Sequence, residues 1–268
     1  MIWDLINEYP ATVLAGEADL FFAEAVMRRS RNVVIHPMPD AKSGIRTRDQ
    51  IRAVGEGRFA MASSFAGALA DESPAFLLSS LPFVTQSTSD ARTLTELALP
   101  LYKRLLAERN QKLIYVSPWP PTGLWSARAV PDRDALGGLK VRTYDKLSTE
   151  VFAQVAASAS VMSFADLPPK LASGKIDTVL SSGDGDAGPQ LWTRLKFFSA
   201  IVYAVPLSFG TVHRGAWDKL DVSDRETILE AGCETTEHQW AAMTAASRAI
   251  SPSRGRTASQ SRNVPRRM

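Results

Sequence analysis

The chain has 268 residues, of which 45% are hydrophobic and 22% charged, a composition typical of an ordinary globular protein. This length allows one large or two small domains, and no run of about 20 apolar residues is present that could span a membrane. The formal net charge of +3 arises at the C-terminus, because residues 251–268 contain five arginines and no acid whereas residues 1–250 carry a net charge of −2.

The basic tail, residues 251–268, is predicted to be disordered because it has almost no apolar side chains with which to form a core. Clustered arginines can bind the phosphates of nucleic acids. The rest of the chain, however, shows neither a basic helix nor an aromatic RNA-binding motif. We therefore expect no nucleic-acid partner.

Strand and helix patterns alternate through the first part of the chain. Strands are predicted at residues 3–9, 33–36, 58–62 and 113–117. Helices are predicted at residues 18–26, 91–97 and 101–109, with a fourth introduced by a capping box at 47–50. Gly16 would end the loop before the first helix, and Pro100 suits the first turn of the helix that follows it. The alternation indicates an α/β architecture with a mostly parallel sheet.

The alternation starts again after Trp119. Strands are predicted at residues 139–143, 160–163, 176–181, 201–205 and 207–212. Helices are predicted at 149–157, 166–172 and 190–198, followed by a long one that a second capping box opens at 223–226. Two α/β lobes joined by two crossing segments would leave a cleft, which is a common place for a ligand. We expect lobe I to contain residues 1–119 and 206–250, and lobe II residues 120–205.

The most informative stretch, residues 137–177, places one arginine at the end of a short strand. Arg142 closes GLKVR at 138–142, and it is followed by EVF at 150–152, VMSFADL at 161–167 and LASGKID at 171–177. An arginine offers a planar fork of N–H donors that suits a single carboxylate. The alternative for Arg142 is a surface salt bridge, where most arginines are found.

In order and spacing, this stretch resembles the signature region of the solute-binding proteins of TRAP transporters, the DctP family. SPAFLLSSLPF at 73–83, VSPWPPTGLWS at 116–126 and AWDKLDVSD at 216–224 resemble further segments of that family, so the resemblance extends over roughly residues 1–245. It implies the two-lobed α/β fold of periplasmic solute-binding proteins, with an interlobe cleft and crossing strands. The family normally continues past residue 250 with ordered structure, so we expect a truncation or a change of reading frame there.

The resemblance also implies a function. Arg142 would bind the carboxylate of a small organic acid, which the protein would deliver to a TRAP-type membrane permease. Such a protein is periplasmic, yet residues 1–10 show no signal peptide. We expect that the signal was removed or that the start was assigned downstream, and a cytoplasmic protein is the alternative. Neither a cofactor nor a metal is expected, and both a monomer and a homodimer remain open.

Further cleft residues are expected from the aromatic side chains of the second half and from the family pattern. They are Tyr9, Glu17, Trp119, Tyr144, Phe164, Ser181 and Ser182. Aromatic walls favour a ligand with an apolar or aromatic body behind its carboxylate. A small dicarboxylate would need a second fixed cation, and the nearest one in sequence, Arg128, is better explained as a solvated loop charge. For Glu17, a role at the start of a helix is supported equally well.

A rival signal is the glycine pattern at residues 183–188. Gly183, Gly185 and Gly188 satisfy G-x-G-x-x-G between a strand and a helix, the context of a dinucleotide-binding loop, so a nucleotide-dependent oxidoreductase is the alternative function. Asp184 and Asp186 oppose this reading because they would face a pyrophosphate with two negative charges. The same acids hint at Ca²⁺, but the terminal glutamate of a full calcium loop is missing.

Catalytic motifs are not recognisable in the sequence. The three histidines are isolated, and H-E-x-x-H, G-x-S-x-G, S-x-x-K and C-x-x-C do not occur. Cys233 is the only cysteine, so an internal disulfide cannot form, and its position in a predicted helix favours a buried structural role. We predict a binding protein and not an enzyme.

Overall fold

The computed structural model of the protein describes residues 1–183 and 191–250, the last four without their side chains. The strands are β1 Ile2–Asn7, β2 Val34–Met38, β3 Met61–Phe65, β4 Gln111–Pro118, β5 Thr122–Ser126, β6 Lys140–Thr143, β7 Ser158–Val161, β8 Thr178–Ser182, β9 Phe197–Ser199 and β10 Leu207–His213. The helices are α1 Leu14–Arg29, α2 Thr47–Gly55, α3 Thr88–Ala107, α4 Lys146–Ala153, α5 Leu167–Ala172, α6 Arg214–Asp218 and α7 Val222–Ile250.

The strands form two five-stranded sheets, one in each of two lobes. The order is β2-β1-β3-β10-β4 in lobe I and β7-β6-β8-β5-β9 in lobe II. Strand β10 runs antiparallel to β3 and β4, and β5 runs antiparallel to β8 and β9, while the other described pairs are parallel. The expectation of a mostly parallel sheet is therefore wrong. The strand on which the chain enters each sheet from the other lobe runs against its neighbours.

Two segments cross between the lobes and lie side by side. Strand β4 leads to β5 through Trp119, and residues 200–206 lead back from β9 to β10. The Trp119 N–H donates to the Pro206 carbonyl, the Tyr203 N–H to the Thr122 carbonyl and the Thr122 N–H to the Ala204 carbonyl, each over 2.8 Å. Residues 201–205 do not form the regular strand predicted for them, but these bonds join the two crossings into one narrow connection.

The buried side chains form separate cores in the lobes and one cluster between them. In lobe I, α1 and α7 cover one face of the sheet around Phe22 and Ile228, and α3 covers the other around Tyr102. A further cluster joins Phe65 of lobe I to Tyr144 of lobe II. Apolar packing therefore continues across the gap between the lobes, where it forms part of the cavity wall described below.

Several predicted helix boundaries are wrong. Helix α3 is one continuous helix with Pro100 inside it, because the buried face formed by Thr95, Ala98, Tyr102 and Leu106 continues past the proline. Helix α1 begins before Gly16 and not after it. The end of the helix predicted at 190–198 is instead occupied by strand β9.

Neither predicted capping box forms. Thr47 is the first residue of α2, and its N–H and Oγ1 both donate to the Glu8 carboxylate, over 2.7 and 2.9 Å. Helix α7 begins one residue before Ser223, and Asp221 accepts a hydrogen bond of 2.7 Å from the Asp224 N–H. In both cases an acid outside the predicted box bonds to the first turn of the helix.

Cys233 is exposed on α7, which corrects the expectation of a buried side chain. The preceding residue, Gly232, faces the Ile114 carbonyl, and a helix turns by about 100° per residue, so Cys233 points away from that contact. Within the described residues, none of the helices combines the length and hydropathy needed to span a bilayer. Residues 184–188 of the glycine pattern and the basic tail lie outside the described residues.

Candidate ligand-binding site

A cavity lies between the two lobes beside their crossing segments. It contains about 420 Å³ of space between the atoms, counting its mouth. Its lining residues are Tyr9, Val13, Phe65, Trp119, Thr122, Arg142, Tyr144, Phe164, Ser181, Ser182 and Pro206. The wall is mostly apolar and aromatic, with one cation and several hydroxyl groups, which is the usual composition of a small-molecule site.

Arg142 is held in this wall by the strands on either side of its own. It lies in β6, is only 3% exposed, and donates from Nε to the Met162 carbonyl over 2.8 Å and from Nη1 to the Leu180 carbonyl over 3.2 Å. Met162 directly follows β7 and Leu180 lies in β8, and these strands flank β6. A guanidinium has five N–H donors, so these two bonds fix its orientation and leave donors for a ligand.

The charge of Arg142 is desolvated but not neutralised by direct contact. Burial lowers the pKa of its guanidinium. That pKa is raised in turn by the nearby Tyr9, Glu8, Tyr144 and Asp145. Among the described residues, no acid lies within ion-pair distance of it. A buried cation that bonds only to neutral groups, here two carbonyls and the Tyr9 hydroxyl, gains from an anionic partner. The geometry therefore favours the binding of a carboxylate.

Aromatic rings from both lobes surround this cation. The Tyr9 ring of lobe I lies edge-on to Trp119, with 4.8 Å between centroids, and 6.0 Å from the ring of Phe164. The ring of Phe65 meets Tyr144 edge-on at 5.3 Å. The Arg142 guanidinium lies 5.9 Å from the centroid of Phe164, a distance that permits a cation–π contact. These rings would pack against the body of a ligand whose carboxylate faces the arginine.

Hydroxyl groups provide additional polar contacts on the wall. The Tyr144 hydroxyl is buried beside Thr122 and has no well-formed hydrogen bond within the described part of the chain. Burial raises the pKa of both Tyr9 and Tyr144, so both phenols stay protonated at neutral pH. Ser181 and Ser182 end β8 at the cavity, and the Ser182 carbonyl accepts a bond of 2.9 Å from Trp125 Nε1.

Seven of the eight ligand-binding residues predicted from the sequence line this one cavity. The exception is Glu17, which lies in the first turn of α1 with its carboxylate 3.6 Å from His238. Arg128 is exposed and donates to the Gly137 carbonyl over 3.0 Å, as a loop charge would. A group of three or more residues able to hold a metal is not found in residues 1–183 and 191–250.

Four lining residues were not predicted from the sequence: Val13, Phe65, Thr122 and Pro206. Phe65 ends β3 in lobe I, and an aromatic residue at a strand end was the only available signal for it. Val13 and Pro206 are apolar loop residues that no sequence pattern separates from ordinary packing positions. Thr122 opens β5 directly after a crossing segment, so only the position of the crossing could have pointed to it.

The model of the bacterial extracellular solute-binding protein family 7, DctP, matches residues 7–253. DctP6 of Bordetella pertussis, a receptor binding pyroglutamic acid, is 25% identical over 91% of this chain and 81% of its own, with a TM-score of 0.87. DctP7 of the same organism, also binding pyroglutamic acid, is 24% identical over 92% of this chain and 82% of its own, with a TM-score of 0.88. A TRAP periplasmic solute-binding protein of Chromohalobacter salexigens with bound D-glucuronate is 23% identical over 92% of this chain and 84% of its own, with a TM-score of 0.82. No curated protein matches the chain.

The family match covers nearly the whole chain, and the solved structures share its two-lobed fold. The resemblance seen in residues 137–177 is thereby confirmed, while the oxidoreductase alternative finds no support. The family consists of receptors that bind small acids for transport. The chain belongs to the bacterial extracellular solute-binding protein family 7, the DctP family of TRAP transporter receptors.

Proposed function

We propose that this protein binds a small organic acid in the cavity between its lobes and delivers it to a TRAP-type membrane permease. The observation that carries the proposal is the buried Arg142, which faces an aromatic cavity without an ion-pair partner among the described residues. A ligand carboxylate would accept hydrogen bonds from the remaining N–H donors of Arg142. Such charge-assisted hydrogen bonds are stronger than neutral ones.

The wall supports a ligand with an apolar or ring-shaped body. Tyr9, Trp119, Tyr144 and Phe164 present faces and edges to the cavity, and Ser181 and Ser182 offer polar contacts at one side. Two structures similar to this chain bind pyroglutamic acid, a small ring with one carboxylate. Pyroglutamate is therefore the first acid to test, and uronates and aromatic monocarboxylates are the next.

The mechanism is capture without chemical change. Lobe I would comprise residues 1–119 and 206–250, lobe II residues 120–205, and the joined crossing segments would act as the hinge. An acid drives closure only to the extent that it binds the closed form better than the open one. Contacts from both lobes would provide that difference, because Tyr9 and Phe65 come from one lobe and Arg142 and Phe164 from the other. The closed protein would then dock on a permease in the periplasm.

A thermal-shift screen tests the proposal. Monocarboxylates and dicarboxylates, with pyroglutamate among them, are added to the purified chain, and a binding acid raises the melting temperature. The neutral amide of each acid serves as its control, because the amide keeps the shape and removes the charge. A shift that the acids give and the amides do not is the expected result. If no acid raises the melting temperature, acid binding by this chain is refuted.

A further inference from the structure

Two buried carboxylates lie near the cation of the cavity, one contributed by each lobe. They are Glu8, which is 5% exposed, and Asp145, which is 2% exposed. Glu8 directly precedes Tyr9 and Asp145 directly follows Tyr144, and both tyrosines line the cavity. Both interact electrostatically with Arg142 without contacting it as an ion pair. Neither is needed to explain how a carboxylate binds, so their presence calls for a separate explanation.

Glu8 contacts both lobes. One carboxylate oxygen accepts hydrogen bonds from the N–H and Oγ1 of Thr47 in lobe I, over 2.7 and 2.9 Å. The other oxygen accepts a hydrogen bond from the Ser163 hydroxyl of lobe II. Three donors bonded to one carboxylate hold Glu8 in a fixed position between the lobes, next to Tyr9 of the cavity wall.

Asp145 faces the opposite way, from lobe II towards lobe I. Its Oδ1 accepts hydrogen bonds from the N–H and hydroxyl of Ser148, over 2.7 and 2.6 Å, at the start of α4. Its Oδ2 is buried beside Ser80, and a Cβ placed on Gly67 would lie 3.1 Å from that oxygen. Burial raises the pKa of this carboxyl. A second acid is thus held against the opposite lobe.

The described part of the cavity wall contains fewer cationic side chains than there are acids near it. Arg142 is the only cationic residue in its lining, as far as the chain is described. Two further cations lie where the lobes meet, but Arg46 pairs with Asp166 over 2.8 Å and Lys146 pairs with Asp71. A ligand with one carboxylate uses the free donors of Arg142. A second ligand carboxylate would be buried near the carboxyl groups of Glu8 and Asp145, without a cation of its own.

We propose that Glu8 and Asp145 restrict the cavity to acids that carry a single negative charge. This selectivity rests on the proposed function, because it presupposes that an acid binds to Arg142. It identifies the substrate class as monocarboxylates whose remaining polar groups are neutral. Dicarboxylates of the same size would be excluded by charge, since the rest of the described lining offers rings and hydroxyl groups but no second cation.

Calorimetric titration with three acids of similar size tests this selectivity for singly charged acids. Pyroglutamate and glutaramate carry one negative charge at pH 7.5, and glutarate carries two. We expect the better-bound monoanion to bind at least about tenfold more tightly than glutarate. Binding of glutarate with equal or higher affinity overturns the proposal, and so does a failure of both monoanions to bind.

Charge-removing variants test whether the two acids are responsible. Glu8→Gln and Asp145→Asn keep the size of each side chain, and asparagine can still cap α4. Each variant should reduce the preference for monoanions at least about threefold, through a gain for glutarate. Asp4→Asn removes a half-buried acid from β1, the strand that precedes Glu8, and should leave the preference unchanged. An unchanged preference in both Glu8→Gln and Asp145→Asn overturns the proposal.

The outcomes separate this proposal from the function on which it rests. If glutarate binds best and Arg142→Ala abolishes its binding, the protein binds acids at Arg142 but does not select those with a single charge. If no acid in the wider thermal-shift screen binds, both fail. A glutarate affinity that rises in Glu8→Gln and Asp145→Asn, with binding still lost in Arg142→Ala, supports both.

Discussion

Arg142 Nε donates a hydrogen bond of 2.8 Å to the carbonyl oxygen of Met162, so the cation of the cavity is oriented by the backbone next to it. The two following residues, Ser163 and Phe164, bond to Glu8 of the other lobe and line the cavity, respectively. One three-residue segment thus fixes the cation, contacts the opposite lobe and forms part of the wall. Lobe closure and the orientation of the guanidinium are therefore structurally linked.

Replacing Arg142 by lysine should weaken acid binding although the positive charge is kept. An ammonium cannot reproduce the planar fork that bonds to Met162, Leu180 and a carboxylate together. We expect the dissociation constant to rise about 10- to 100-fold in Arg142→Lys and further in Arg142→Ala, as measured by calorimetric titration. Arg128→Ala removes an exposed arginine of lobe II and should bind as the unaltered protein does. Unchanged affinity in Arg142→Ala would disprove the role of this residue.

The partly buried contact between Glu8 and Ser163 should hold the lobes closed more strongly than the exposed Arg46–Asp166 pair at the rim. A hydrogen bond to a charged group contributes about 1.5–3 kcal/mol, whereas an exposed ion pair such as Arg46–Asp166 contributes at most about 1 kcal/mol. Stopped-flow tryptophan fluorescence should show ligand release about tenfold faster in Ser163→Ala, against a few-fold change at most in Asp166→Asn. The reverse ranking would show that the rim controls opening.

Asp19 should make the stability of the protein depend on pH. It accepts hydrogen bonds of 2.6 Å from Tyr115 and Asn7, and burial raises the pKa of its carboxyl to about 7, above the usual 3.8. Between these values the folded state holds a proton that the unfolded state has released, so the contribution of Asp19 to stability decreases as pH rises from about 4 to 7. Asn7 also accepts from the Tyr9 N–H, which connects this network to the cavity.

Urea unfolding at several pH values measures this effect. We expect the difference in unfolding free energy between the unaltered protein and Asp19→Asn to change by up to about 1.4 kcal/mol per pH unit within that window. Asparagine keeps the size of the side chain and removes the titration. Parallel pH profiles for the two proteins would contradict the assignment of this titration to Asp19.

Gly16 should not tolerate a side chain. A Cβ added there would lie 2.0 Å from the Pro10 carbonyl oxygen, so α1 could not keep its contact with the loop before it. We expect Gly16→Ala to destabilise the protein by about 1–3 kcal/mol in urea unfolding, as overpacking does. Gly137→Ala is the control, because its φ is −57° and its nearest atom lies 3.3 Å away, and its effect should stay near 0.5 kcal/mol. Equal effects would refute the steric argument.

The two-lobed architecture was predictable because it depends on local periodicity and on the order of segments. Strand direction was not, since β5 and β10 run against their neighbours only because the chain arrives from the other lobe. Pro100 gave a strong local signal for a helix boundary, but the buried face around Tyr102 continues through it. Local rules were correct where tertiary packing agreed with them and wrong where packing opposed them.

The candidate site shows the same division. Arg142 and the aromatic residues near it could be placed because the signature segments give their positions relative to the strands. Phe65 and Val13 could not, since an apolar residue that faces a cavity has the same sequence pattern as one that faces the core. Glu17 was expected in the cleft from the family pattern, but it lies in the first turn of α1 beside His238 and not in the cavity lining. Ligand binding by the lining residues itself stays a prediction.

A crystal structure of the protein with a bound acid tests the central claim most directly. The decisive measurement is the distance from the ligand carboxylate oxygens to the Nη atoms of Arg142. We predict about 2.7–2.9 Å, as in a charge-assisted hydrogen bond, with the ligand body in contact with the rings of the cavity wall. An acid bound outside this cavity, or one whose carboxylate faces away while Arg142 bonds only to Met162 and Leu180, would contradict the account.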